Sequence, residues 1–144
     1  MNKYLFILLL VWMGGSCTSH SEDRATKKEV RNSAMQQAEN QSLIYEGENG
    51  EYREWYPGRK QLKIEGRTND NGDRVGIWKS YFENGSEQSV VVYENGLKEG
   101  IYIVRFPNNL IRYRGEYLHD EPIGIWKFYD EEGNLIEEKD YSKE

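Results

Sequence analysis

From about residue 43 to the end of the chain, apolar and polar residues alternate in short runs, with Gly and Asn between the runs. Short runs rich in Ile, Val, Tyr and Trp with a period of two are typical of β-strands whose two faces differ. Asn-Gly pairs, the strongest short signal of a hairpin turn, separate the runs at residues 49–50, 71–72, 84–85 and 95–96. The pattern predicts an antiparallel meander of roughly seven or eight strands, with positive φ at both residues of each pair, as in a type I′ turn.

One short phrase recurs through this pattern at a fixed interval. Gly-Ile-Trp at residues 76–78 is followed by Gly-Ile-Tyr at 100–102 and Gly-Ile-Trp at 124–126, each 24 residues after the last, and a looser copy begins at Gly50. A period of about 20 to 50 residues indicates a repeat protein in which neighbouring units complete one another. We therefore expect an all-β, single-layer sheet of tandem β-hairpins over residues 42–144, with units starting near residues 50, 76, 100 and 124.

The period of two also assigns the aromatic residues to faces. Trp78, Tyr102 and Trp126 occupy the same position in three units and are predicted to share one face, whereas Tyr81 and Tyr129 are predicted on the other. Equivalent rings recur on every second strand, so we expect them about 10 Å apart. The glycine that opens each unit has no side chain, and a ring from the adjacent strand is predicted to lie over it.

These rings have a structural and a functional interpretation. As structure, they form the core of a single-layer sheet. As function, they form a platform for a protein, a peptide or a glycan, because large exposed apolar patches mark binding sites. The candidate binding surface consists of Trp55, Trp78, Tyr81, Tyr102, Trp126 and Tyr129.

Residues 1–16 have the features of a secretory signal peptide. Lys3 gives a positive start, residues 4–13 are apolar, and the small residues 14–16 precede the lone cysteine, Cys17. Ten apolar residues are too few to span a bilayer. A cysteine directly after small residues resembles a bacterial lipobox, which implies cleavage before Cys17 and lipidation of this residue. The alternative is an ordinary secretory signal with an incidental cysteine.

The resemblance to a lipobox implies a cell-envelope lipoprotein. Thr18 stands where the inner-membrane retention signal of enteric bacteria has Asp, which implies an outer membrane, either on its periplasmic side or at the cell surface. Ser-Glu-Asp at residues 21–23 is similar to the acidic surface-export signal of Bacteroidota lipoproteins. Residues 17–41 contain no aromatic residue, which predicts a flexible tether with a thin apolar stripe that allows a short helix.

The repeated unit resembles a known repeat. Gly-Ile-Trp-Lys-Ser-Tyr-Phe-Glu-Asn-Gly at residues 76–85 matches the unit Gly-x-Trp-x-x-Tyr-Tyr-x-x-Gly of a bacterial variant of the MORN repeat (membrane occupation and recognition nexus). Residues 124–133 match with Asp130 in place of the second aromatic residue. The unit at residue 100 departs more, with Arg105 and Asn109 in place of the Tyr and the turn Gly, and the unit near residue 50 has two extra residues. The resemblance covers about residues 42–144 and implies tandem hairpins.

The resemblance also implies a range of functions. Many proteins of this variant family are described as antitoxin components, and other MORN arrays act as scaffolds or membrane-associated modules. We expect a non-catalytic protein-binding module, with an antitoxin or immunity protein that neutralises a toxin as the alternative. A carbohydrate-active or glycan-binding module is a third possibility. The expected partners are a protein, which is a toxin in the second case, and the membrane through the lipid on Cys17.

Composition and motifs weigh against other classes of function. The formal net charge is -6 without a cluster of Lys or Arg, so nucleic-acid binding has no electrostatic footprint. With one cysteine, a disulfide framework or a cysteine metal site within the chain is impossible. His119 lies in a predicted turn without a Ser or Cys nucleophile in phase. Residues 69–73 lack the Glu of an EF-hand, which leaves only loose calcium binding open. We expect no catalytic residue, no cofactor and no built metal site.

Overall fold

The computed structural model of the protein describes residues 19–142, with side chains from residue 27 onward. The predicted signal peptide and Cys17 lie outside the described residues. Within that range, one helix is followed by nine strands. Their bounds are α1 Ser19–Glu39, β1 Leu43–Glu46, β2 Glu51–Trp55, β3 Leu62–Thr68, β4 Arg74–Tyr81, β5 Glu87–Glu94, β6 Leu97–Arg105, β7 Ile111–Leu118, β8 Glu121–Tyr129 and β9 Leu135–Asp140.

The nine strands form one antiparallel sheet in which each strand pairs with the next along the chain. This confirms the predicted all-β meander of hairpins, with nine strands in place of seven or eight. The chain divides into two compact units, Met1–Gln37 and Ala38–Glu144, and the second contains the whole sheet. Repeats of the sequence therefore correspond to consecutive hairpins of one sheet.

Most of the predicted tether is helical. Helix α1 is 21 residues long, which is more than the short helix that the sequence allowed. Good helix formers such as Ala, Lys, Glu, Gln and Arg fill it, and this local preference accounts for its length. Its described apolar side chains stay exposed, including Val30 at 67% and Met35 at 57%. Among the described residues, no helix is both long enough and apolar enough to cross a membrane.

One face of the sheet, which we term the tryptophan face, carries the core. Trp78, Val91, Val104 and Trp126 are its buried residues, and the two indoles are only 3% and 5% exposed. Tyrosine rings pack around them, with Tyr52 5.1 Å from Trp78 and Tyr117 5.0 Å from Trp126 between ring centroids. The core of this sheet is therefore a layer of side chains that bury one another along its length.

Neighbouring rings of this face approach more closely than predicted. The ring centroids of Tyr102 and Trp126 are 6.2 Å apart, against the expected spacing of about 10 Å. The two residues lie on β6 and β8, and Gly115 on the intervening strand β7 pairs with Tyr102. Because this glycine has no side chain, the rings can lean towards each other over it.

The glycine that opens each unit and the glycine that lies under a ring are different residues. Gly76, Gly100 and Gly124 have φ of 67°, 84° and 62°, and an added Cβ on any of them would meet no atom within 4 Å. Each lies where the register with the preceding strand shifts. The indole rings instead cover Gly66 and Gly115, where an added Cβ would lie 2.2 Å from the ring. The prediction that a ring covers the opening glycine is therefore wrong, because this glycine supplies the positive φ of a bulge.

The hairpin turns are of two kinds. At residues 49–50 and 95–96, both the Asn and the Gly have positive φ, as predicted. At residues 71–72 and 84–85, only the Gly does, so the type I′ prediction is wrong there. In the second of these turns the glycine N–H donates to the carbonyl of Phe82 at 2.9 Å. This bond closes a type I turn, and the glycine at its end forms a bulge. That geometry is preferred for hairpin loops of three residues, one more than in a type I′ turn.

Candidate functional site

The face opposite the tryptophan face carries a row of exposed isoleucines. Ile77, Ile101 and Ile125 are 58%, 53% and 56% exposed. Each directly follows a repeated glycine, so the three recur at intervals of 24 residues, on every second strand. At ordinary strand spacing, the strands that carry them are about 10 Å apart. We term this side of the sheet the isoleucine face.

A second row on the same face contains six charged residues among its eight. It follows the register of the sheet, one residue per strand from β2 to β9: Arg53, Glu65, Lys79, Val90, Ile103, Arg114, Lys127 and Glu138. The ammonium of Lys127 lies 2.6 Å from the carboxylate of Glu138, and Lys79 lies 3.6 Å from Glu87. These pairs are partly exposed, so each contributes at most about 1 kcal/mol to stability. The charges of this row thus lie at the surface of the isoleucine face and add little to its stability.

Two grooves open on the isoleucine face. The larger has a volume of about 710 Å³ and is lined by Tyr45, Arg53, Glu65, Arg67, Ile77 and Lys79, among others. The smaller has a volume of about 350 Å³, and its lining includes Ile101, Ile103, Arg114, Ile123, Ile125 and Lys127. Ile77 and Lys79 of the first groove are equivalent to Ile125 and Lys127 of the second, two units further on. The repeat therefore presents a similar pairing of apolar and cationic side chains at both ends of the face.

The rings predicted to bind a partner do not form one surface. Trp78 and Trp126 are buried, and their indole N–H groups donate to the backbone carbonyls of Arg67 at 3.0 Å and Glu116 at 3.2 Å. These bonds satisfy the only polar atom of each buried ring. Neither indole leaves enough surface for a partner, so both act in the fold.

Tyr102 is half-buried on the same face. Its ring packs 5.8 Å from Tyr113 and 5.7 Å from Tyr117 between centroids. Burial, and then a hydrogen bond with Tyr113, raises the pKa of the Tyr102 hydroxyl. Its hydroxyl is therefore held neutral as part of the ring layer.

The other three predicted rings are half-buried at strand ends. Trp55 ends β2, Tyr81 ends β4 and Tyr129 ends β8. The hydroxyl of Tyr81 donates to the carboxylate of Glu65 at 2.5 Å. Burial, and then this hydrogen bond, raises the pKa of Tyr81. Tyr81 is thus bonded to Glu65, a member of the charged row on the isoleucine face.

The turn residues singled out in the sequence serve the turns themselves. His119 is exposed in a turn with φ of 51°, and its N–H donates to the carboxylate of Glu99 at 3.0 Å. In the segment 69–73, the side-chain oxygen of Asn69 accepts the N–H groups of Asn71 at 3.0 Å and Asp73 at 2.9 Å. Within residues 27–142, no three His, Cys, Asp or Glu side chains are grouped as metal ligands. Both segments therefore have a structural explanation.

A ladder of turn asparagines joins neighbouring hairpins and was not foreseen from the sequence. The Asn84 side-chain amide donates to the carbonyl of Pro107 at 3.5 Å, and that of Asn108 donates to the carbonyl of Glu131 at 2.8 Å. The two donors are 24 residues apart, and so are the two acceptors. The recurrence of Asn at residues 84 and 108 is the signal in the sequence, but an Asn in a turn is already explained by the turn itself.

No protein-family model matches the chain, and no curated protein matches it at a significant level. Two solved structures are similar to part of it. A mutant of S. aureus TarM, crystallised with fondaparinux, α-GlcNAc-glycerol and UDP, has a TM-score of 0.45 and 11% identity over 79% of this chain and 22% of that chain. A second crystal structure of TarM has a TM-score of 0.42 and 10% identity over 81% of this chain and 24% of that chain. The chain thus spans less than a quarter of the length of TarM.

Proposed function

We propose that the protein is a non-catalytic, membrane-anchored lipoprotein whose repeat sheet binds a protein partner through the isoleucine face. The observation that carries this proposal is the exposure of Ile77, Ile101 and Ile125, each more than half exposed. Isolated apolar side chains on a surface need no explanation, but a contiguous apolar patch marks an interaction site. Here the three isoleucines recur on every second strand, so a partner that lies across the strands can cover all of them in one interface.

The distribution of burial supports a division of labour between the faces. The buried side chains Trp78, Val91, Val104 and Trp126 lie in the ring layer of the tryptophan face. The isoleucines contribute little to this core and can be covered by a partner without disturbing it. Because each of the last three units offers one isoleucine, binding energy is spread over several units. Removing one isoleucine should therefore weaken binding in a graded way.

The anchor in this proposal is the lipid on Cys17. A single acyl chain gives only marginal membrane binding, whereas two or more give stable attachment. Along the chain, α1 lies between this cysteine and the first strand, and its 21 residues correspond to about 30 Å of helix. Such a spacer suits a binding domain that works away from the bilayer surface.

Fractionation of cells tests the anchor. Cys17→Ser is expected to move the protein from the membrane fraction to the soluble fraction, or to leave the signal peptide uncleaved, because the modified thiol is lost. The wild-type chain, which should stay with the membranes through a high-salt wash, is the control. Identical partitioning of the two chains would contradict the proposed anchor.

Photo-crosslinking in intact cells tests the binding face. A benzophenone amino acid at position 77, 101 or 125 is expected to form an adduct with one and the same protein, identified by mass spectrometry. Position 137 is the matched control, because Glu137 is exposed and pairs with Phe128 on the tryptophan face. Adducts at the control position alone, or a different protein at each test position, would overturn the proposal. A toxin as the common adduct would make the protein an immunity protein of the envelope.

A further inference from the structure

The tryptophan face contains a cavity between the units that begin at Gly76 and Gly100. Its volume is about 210 Å³, and its lining includes Arg74, Trp78, Ser80, Ser89, Tyr93 and Lys98. None of the residues that line it is Asp or Glu. That is unusual for a chain with 25 Asp and Glu against 19 Lys and Arg. The cavity is thus a local concentration of positive charge in an acidic protein.

Two cations are held in this cavity by aromatic rings. The guanidinium carbon of Arg74 lies 4.2 Å from the ring centroid of Trp78, and its Nη1 donates to the Tyr93 hydroxyl at 3.3 Å. The ammonium of Lys98 lies 5.9 Å from the ring centroid of Tyr102, which lines the cavity, and 4.6 Å from that of Tyr117, which lies beside it on β7. Neither side chain forms an ion pair with a described carboxylate. Both charges are therefore positioned and lack an acidic partner in the described part of the chain.

Comparison of the units shows that the cavity departs from the repeat. Ser80 and Ser89 pair across β4 and β5, and their hydroxyl oxygens are 2.6 Å apart. One unit later the equivalent pair is Val104 and Tyr113, whose larger side chains fill the same position. Arg74 and Lys98 occupy the same position in successive units, and the following unit has Pro122 there. Two small hydroxyl residues and two cations thus coincide at this position of the array.

We propose that this cavity binds a sugar residue that carries a carboxylate, of the uronic acid type. The carboxylate lies between Arg74 and Lys98, because hydrogen bonds between charged groups are roughly twice as strong as neutral ones. The hydroxyl groups of Ser80, Ser89 and Tyr93 face the hydroxyl groups of the sugar. The Ser80 and Ser89 hydroxyls bond to each other and the Tyr93 hydroxyl accepts from Arg74, but each oxygen keeps capacity for a further hydrogen bond. The carboxylate of a peptide side chain would use only the cations, whereas a sugar acid also offers hydroxyl groups to these three oxygens, so the lining favours the sugar.

This site is on the face opposite the isoleucines and does not rest on the protein partner proposed above. A protein-binding face and an acidic-glycan site can operate at once on a single-layer sheet, because each face is reached from its own side. Failure of one proposal leaves the other standing.

Calorimetric titration of the full chain with trigalacturonate tests the site, with uncharged galactotriose and triglutamate as comparison ligands. Trigalacturonate is expected to bind, and Arg74→Gln or Lys98→Gln should weaken this binding by about tenfold or more, the effect of losing one charged contact. Ser89→Tyr, which introduces the residue of the next unit, should abolish binding by filling the cavity. Lys139→Gln is the matched control, because Lys139 lies 4.6 Å from the ring centroid of Tyr141 but does not line the cavity.

Thermal unfolding of each variant establishes that it folds. If a variant of Arg74 or Lys98 does not fold, Ser89→Tyr is the variant that tests the site. The proposal is overturned if trigalacturonate does not bind, if galactotriose binds equally well, or if the cation variants bind like the wild type. If triglutamate binds as tightly as trigalacturonate or more tightly, the proposed sugar ligand is wrong and the site is assigned to an acidic peptide. Binding that is restricted to trigalacturonate and lost in Ser89→Tyr supports the proposal.

Discussion

Gly115 and Gly124 lie on neighbouring strands, but the sheet needs each of them for a different reason. An added Cβ on Gly115 would lie 2.2 Å from the ring of Trp126, whereas one on Gly124 would meet no atom. Gly124 instead has φ of 62°, in the left-handed region. Space is the constraint at the first glycine, and backbone conformation is the constraint at the second.

The two constraints predict different consequences for the same substitution. Gly115→Ala should lower the free energy of unfolding by about 2–3 kcal/mol, because overpacking displaces the indole. Gly124→Ala should lower it by about 1–2 kcal/mol through the backbone alone. Urea titrations followed by tryptophan fluorescence give both values. The native emission maximum should shift only in Gly115→Ala, and a shift in Gly124→Ala instead would contradict this assignment of roles.

The hydroxyl of Tyr81 couples the stability of the sheet to pH. Burial and the hydrogen bond to Glu65 raise its pKa in the folded chain. An unfolded tyrosine has a pKa of about 10. Because the folded-state pKa is higher, the stabilising contribution of the neutral hydroxyl is fully present below about pH 10 and is lost as the pH rises further.

Urea midpoints measured at intervals from about pH 8 to 11 test this coupling. The wild-type midpoint is expected to fall above about pH 10, and that of Tyr81→Phe should fall less steeply, since phenylalanine has no proton to lose. The comparison with the variant removes the contribution of the lysines, which titrate in the same range. Parallel curves for the two proteins would show that Tyr81 does not carry the effect.

At the scale of the element, the hairpins are joined by their turns as well as by their strands. The amide of Asn108 reaches the backbone carbonyl of Glu131 in the next hairpin at 2.8 Å, and its Oδ1 accepts the N–H of Leu110 at 3.0 Å. One side chain thus organises its own turn and attaches it to the next. The equivalent position in the last described hairpin is Glu132, which is exposed.

Asn108→Ala should therefore lower the free energy of unfolding by about 1 kcal/mol, the net value of an ordinary hydrogen bond. Glu132→Ala is the matched control and should change stability by less than about 0.5 kcal/mol, as is usual for surface positions. Chemical denaturation of both variants measures the two changes in the free energy of unfolding. Equal losses in the two variants would mean that the ladder contributes nothing.

The hairpins themselves could be predicted from the sequence, because alternation, Asn-Gly pairs and a fixed interval all indicate the same structure. The bulges could not be predicted in this way. A strand glycine is compatible with both a covering ring and a positive φ, and only the pairing of Gly76 in three dimensions decides for the second. The turn at residues 84–85 differs from type I′ for a similar reason, since loop length follows from register and not from the Asn-Gly pair.

The candidate site was predicted less well than the fold. Large rings were chosen as the binding surface because they favour interfaces. In this sheet Trp78 and Trp126 are instead the most buried residues, because each indole lies against a glycine of the preceding strand. The isoleucines beside them are the exposed residues, on the opposite face of the sheet. The signal was their recurrence beside each glycine.

For the molecule as a whole, the sheet has one face that contains its core and one whose isoleucines stay exposed, where we propose that a protein partner binds. The rings of the tryptophan face pack in two groups, one around Trp78 and one around Trp126, through contacts of 5.0 to 6.3 Å between ring centroids. The buried Val91 and Val104 complete the layer. Nothing comparable joins Ile77, Ile101 and Ile125, which remain more than half exposed. The central claim is that stability and binding are separable because they reside on opposite faces.

The most direct test measures stability and partner capture in one variant, Ile77→Ser/Ile101→Ser/Ile125→Ser. Its urea midpoint should stay close to that of the wild type, because the substituted side chains lie outside the ring layer. Its capture of the protein identified by crosslinking should be lost, with each single substitution giving a partial loss. A triple variant that unfolds, or one that captures the partner as the wild type does, would contradict the account.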